Sequence, residues 1–135
     1  MIKKLFTLST LIIAFIPLAY ATNCDQAITT IENNTCLAQQ LAVATKQMDQ
    51  YIAKAKARFA DQPKVIASIE HSQQNWLLYR QSHCDSVYAI WSDGTIRGTM
   101  FGECMLKLTK QRTYQVWVDY LTYMDNTPPL LPEPK

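Results

Sequence analysis

The residues best equipped to do chemistry in this 135-residue chain are four cysteines, Cys24, Cys36, Cys84 and Cys104. A thiol can be a nucleophile, a metal ligand or half of a disulfide, and spacing decides among these roles. No Cys-x-x-Cys pair occurs, and only His71 and His83 could join the thiols as ligands, so neither a redox motif nor a zinc cluster is expected. The two histidines are separated by about 120° around a helix and do not converge on one ion. The 11 acidic residues are scattered, and none forms a carboxylate pair with a neighbouring base. Nucleophile elbows, phosphate loops and metalloprotease signatures are absent. These features predict a non-enzymatic chain with no metal and no cofactor, in which the cysteines are structural.

An even cysteine count in a short chain implies disulfides when the chain is exported. Residues 1–21 carry that signal. Lys3 and Lys4 precede an apolar run over residues 5–18, broken by Pro17, and Ala19-Tyr20-Ala21 gives the small-x-small pattern of a cleavage site. We expect cleavage after Ala21 and a periplasmic or secreted product. The apolar run is shorter than the ~20 residues of a membrane-spanning helix, so no membrane attachment is expected after cleavage.

Removing this segment changes the charge. The whole chain has 13 basic and 11 acidic residues and a formal charge of +2; without Lys3 and Lys4 the remaining 114 residues balance at 11 and 11. A neutral chain lacks the basic footprint of a nucleic-acid binder. Its length suits one domain with a packed core.

The elements that must position the cysteines follow from where helix breakers fall. Gly94, Gly98 and Gly102 are the only glycines, and outside the signal the prolines are Pro63 and the tail set Pro128, Pro129, Pro132 and Pro134. Between these points lie stretches suited to helices of 20 residues or more. In the first, Leu37, Leu41, Ala44, Met48, Tyr51 or Ile52, Ala55 and Phe59 recur at helical spacing, and Asn33-Asn34-Thr35 offers capping side chains. Pro63 suits the first position of a second helix. That helix carries Ile66, Ile69, Gln73, Trp76, Arg80, Cys84 and Val87, and fades before Asp93-Gly94. A third runs from about Thr99 through Cys104, Leu108, Arg112 and Val116 to about Tyr123. A short helical turn is expected over residues 26–31, and residues 126–135 read as a flexible proline-rich tail. The predicted fold is all-α, an antiparallel bundle of three main helices plus a short N-terminal helical turn, disulfide-stapled, over residues 22–125.

On one continuous helix Cys24 and Cys36 would lie about 18 Å apart, too far to bridge, so their pairing requires the chain to fold back between them. Cys84 and Cys104 flank the Asp93-Gly94 turn, where an antiparallel hairpin brings them together. All four sulfurs can share one end of the bundle, which leaves crossed pairings open; the favoured pairs are Cys24–Cys36 and Cys84–Cys104.

The strings Gln74-Asn75-Trp76-Leu77-Leu78-Tyr79-Arg80-Gln81-Ser82-His83-Cys84 and Cys104-Met105-Leu106-Lys107-Leu108-Thr109-Lys110-Gln111-Arg112 resemble the lysozyme-inhibitor LprI-like family. In step with that family's pattern fall Cys24, Glu32, Cys36, Leu41, Met48, Tyr51, Trp76, Arg80, Cys84, Cys104, Leu108, Thr109 and Arg112. The resemblance spans about residues 24–121 and supports the sequential cysteine pairs. It implies that Glu32, Trp76, Arg80, Thr109 and Arg112 are structural. It also implies a secreted or periplasmic protein that binds lysozyme and occludes its cleft; an envelope module binding another protein or cell-wall material without inhibition is the competing reading. Where the family tends to carry an Asp in the first helix, this chain has Thr45. Arg80 or Arg112 then needs another acceptor, for which Glu32 or a backbone carbonyl is expected.

The candidate partner-binding segment is residues 88–101, where Tyr88, Trp91, Arg97 and Phe101 combine aromatic surface with an arginine. Lysozymes are usually strongly cationic, so a neutral inhibitor has no global field with which to steer toward one.

Overall fold

The computed structural model describes residues 24–135; the predicted signal segment lies outside them. A 3-10 turn at Cys24–Gln26 leads into α1 (Thr30–Arg58), α2 (Pro63–Ile90) and α3 (Arg97–Val116). The last helix continues as a π-helical turn, Trp117–Leu121. No strand is present among the described residues. Disulfides join Cys24 to Cys36 and Cys84 to Cys104, the pairs favoured from the sequence.

The start of α1 is set differently from the sequence expectation. Thr29 is its cap: the Glu32 amide donates to the Thr29 hydroxyl (3.2 Å), and the Glu32 carboxylate accepts from the Thr29 and Ile28 amides, both at 3.0 Å. This reciprocal box puts Asn33, Asn34 and Thr35 inside the helix instead of at its cap, and the short N-terminal turn falls at Cys24–Gln26 instead of residues 26–31. The backbone donors, chiefly the Thr29 amide, hold the Glu32 carboxyl below the usual glutamate range. A group depressed on folding stabilises above its unfolded value and loses that contribution as pH falls through its folded one. The Thr29 and Ile28 amide chemical shifts should therefore titrate with a midpoint below that of an ordinary glutamate; a midpoint at the ordinary value would mean the box does not hold in solution.

Successive helices run antiparallel, which leaves α1 and α3 parallel. α3 is the central element: it lies along both neighbours, whereas α1 and α2 approach each other sparingly. Gly102 makes the α1–α3 approach possible, since a Cβ there would lie 3.3 Å from the Cβ of Leu37. α1 buries Cys36, Leu37, Ala44, Met48, Tyr51 and Ala55, close to the predicted stripe. The second helix, 28 residues long, fully buries only Ile69 and Cys84. The end remote from the disulfides is closed by apolar packing among Tyr51, Ala55, Ile69, Val116 and Leu121.

The tail corrects the expectation of a flexible segment. Leu130 and Leu131 pack on that apolar cluster. The Leu130 amide donates to the Leu121 carbonyl (2.9 Å), the Trp117 indole to the Leu131 carbonyl (2.9 Å) and the Tyr51 hydroxyl to the Pro132 carbonyl (2.7 Å). Proline lacks an amide donor but keeps its carbonyl, so a proline-rich strap can be anchored through the acceptors it retains. Beside it, Arg58 donates to the carbonyls of Tyr120 (2.6 Å) and Thr122 (2.9 Å) with its guanidinium 4.2 Å from the Tyr123 ring.

Candidate functional site

Two sets of side chains stood out in the sequence, and the fold puts them at different levels of the bundle. The first set forms a layer across its middle. Trp76 on α2 lies beneath two guanidinium groups, Arg80 at 5.1 Å and Arg112 at 5.8 Å from its ring centre. Arg80 donates to the Thr109 hydroxyl (2.7 Å); Arg112 donates to Gln73 (3.0 Å) and Ser72 (3.1 Å). Among the described residues neither arginine makes an ion pair. The expected acceptors, Glu32 or a backbone carbonyl, are thus replaced by neutral side-chain oxygens, because Glu32 is engaged in capping α1 at the end of the bundle.

These bonds join α2 to α3 across the layer. Burial pulls the Arg80 guanidinium below its ordinary value, against the opposing charge of Asp49, and its Nε is buried without a partner. Thr109 and Thr113 are buried and return their hydroxyls to the carbonyls one turn back, of Met105 and Thr109. A search for apolar periodicity passes over such threonines. Replacing Thr109 with valine preserves shape and removes the Arg80 acceptor; it should cost about 1–2 kcal/mol in urea denaturation with helicity unchanged, and no loss would show that Arg80 does not depend on it.

The second set lies at the disulfide-bearing end. There the α2–α3 connection is held at two depths: by Cys84–Cys104, with Cα atoms 5.7 Å apart, and nearer the turn by side chains. Arg97 donates to the Ser92 carbonyl (3.1 Å), and its guanidinium sits 5.4 Å from the Tyr88 ring. Tyr88 meets Phe101 edge-on at 6.2 Å. Of the four sequence candidates, Arg97 and half-buried Phe101 thus brace Tyr88, while Tyr88 and Trp91 present about 40% of their surface outward. Ile90, 76% exposed, and Ile96 extend this surface.

Sequence reasoning did not place Ile28 and Ile31 here, yet the fold brings the start of α1 to the same end. Thr99 donates to Asn34 across the α1–α3 contact (2.8 Å), and Cys24–Cys36 pins the preceding segment. Ile28 and Ile31 stand 93% and 77% exposed. The histidines take local roles, His71 hydrogen-bonded with Asn75 and His83 stacked on Tyr79.

The family model described as lysozyme inhibitor LprI matches residues 21–116. The chain belongs to the LprI family. No curated protein and no solved structure matches it. The LprI match ends where α3 gives way to the π-helical turn, so the strap lies beyond it. Within the match, the residues that carry the LprI resemblance are here disulfide, capping and packing residues. The two disulfides fit an LprI protein of an oxidising, extracytoplasmic compartment, and no helix among the described residues is long and apolar enough to cross a membrane.

Proposed function

We propose that this LprI protein acts in the periplasm or after secretion as a lysozyme-binding inhibitor, occluding the enzyme's cleft without chemistry of its own. The observation that carries this reading is the LprI family match over residues 21–116. The signal-like segment at residues 1–21 and the two disulfides support the compartment. Tyr88 and Trp91, held outward on a hairpin fixed by a disulfide and by Arg97, support a binding role, since rigid aromatic surface gives contact area at little conformational-entropy cost.

The test is a titration of the oxidised mature protein, residues 22–135, against chicken-type and other lysozymes with cell-wall hydrolysis as the readout. Saturable inhibition at micromolar concentration or below is expected. Binding without inhibition would favour the interaction-module reading, and neither binding nor inhibition with any lysozyme would overturn the proposal.

A further inference from the structure

We infer that the whole disulfide-bearing end of the bundle, contributed by the start of α1 and by the α2–α3 hairpin, is the docking surface, and that its occupant is a cationic protein drawn in end-on. This rests on the lysozyme-binding reading above and deepens it by assigning the surface and the force that selects it.

The balance of charge conceals a polarity along the bundle axis. From the Arg80–Thr109 layer toward the disulfide-bearing end, leaving that layer out, the described side chains carry the acids Glu32, Asp85, Asp93 and Glu103 against two cations, Arg97 and Lys107. Arg97 is engaged with Ser92 and Tyr88, as Glu32 is with the Ile28 and Thr29 amides, and each keeps its charge. The remaining described residues hold nine basic groups, Lys46, Lys54, Lys56, Arg58, Lys64, Arg80, Lys110, Arg112 and Lys135, against six acids, Asp49, Asp61, Glu70, Asp119, Asp125 and Glu133. α1 alone is about 43 Å long at the helical rise, several times the ~10 Å screening length at 0.1 M salt. A partner nearing one end therefore feels that end's charge and little of the compensating charge beyond. The formally neutral chain presents an anionic pole to a cationic enzyme.

The same pole carries the exposed apolar groups Ile28, Ile31, Tyr88, Ile90 and Trp91. Exposed apolar groups and acidic side chains on one pole provide contact area for retention and a field for encounter, two roles that separate kinetically.

The experiment measures association and dissociation rates of the oxidised mature protein with chicken-type lysozyme across ionic strength. The Asp85→Lys/Asp93→Lys variant should slow association about tenfold at low salt and flatten its salt dependence, while Lys54→Glu/Lys64→Glu at the opposite pole leaves it within about twofold. Ile90→Ser/Trp91→Ser should instead accelerate dissociation with association nearly unchanged. All six positions are exposed, and circular dichroism confirms that each variant folds. If the wild-type protein binds and neither end-located variant changes either rate, this inference fails and the lysozyme-binding reading stands; if the wild-type protein binds no lysozyme, both fail.

Discussion

Replacing Cys84 and Cys104 together with alanine should lower stability by about 3 kcal/mol, from the loop entropy regained by the unfolded chain when a bridge of this span is lost. The 20-residue separation gives that estimate, and for a domain of this size the melting temperature should fall by roughly 15 °C. The bridge ties two helices together at a site where Cys84 has no exposed surface, so the native state gains little freedom to offset the loss. Cys24–Cys36 differs. Its separation of 12 predicts a similar unfolded-state effect, but it restrains a short 3-10 turn, and the folded protein recovers part of the entropy by fraying there. Thermal melts of the two double-alanine variants should therefore rank Cys84–Cys104 as the more costly loss; equal shifts would show that the N-terminal segment stays ordered without its bridge.

Removing residues 127–135 should cost about 2 kcal/mol. The deletion uncovers apolar surface on Tyr51, Trp117 and Leu121 and removes the strap's three hydrogen bonds. The three bonds, each worth about 1 kcal/mol net, set the scale of this loss. Urea denaturation of the truncated protein tests this, with Leu130→Ser/Leu131→Ser in the full chain as the finer probe. An unchanged midpoint in both would mean that the strap contributes nothing to the fold.

The fold was legible in the sequence where a single residue type dictates local geometry. Pro63 and Asp93-Gly94 mark the two helix connections, and the stripe from Leu37 to Phe59 marks the face of α1 turned inward. The Thr29-x-x-Glu32 capping signature was also present, though the adjacent asparagines offered a competing start. The tail could not be read in this way, because its anchoring depends on the carbonyls of Leu131 and Pro132 and the amide of Leu130, with partners up to 81 positions away. Thr109 was marked by the family pattern, but Thr113 was hidden for a related reason: it becomes buried only because α3 is flanked on two sides, a property of the assembly. The candidate surface was half visible. Tyr88 and Trp91 were in plain view, but Ile28 and Ile31 join them through tertiary contact, and a net charge cannot disclose its own distribution along an axis.

The central position of α3 also bears on the order in which the molecule assembles. Its principal contacts are with α1, and they pair residues about 65 apart, Asn34 with Thr99 and Leu37 with Gly102. Most helical bundles fold quickly because neighbouring helices meet through short loops; contacts of such long span slow the search. The α2–α3 hairpin, local and sealed by its own bridge, is positioned to form first and offer a template on which α1 docks last. For a chain that emerges amino end first, the earliest helix to arrive must then wait for the latest, with its apolar stripe exposed in the interval.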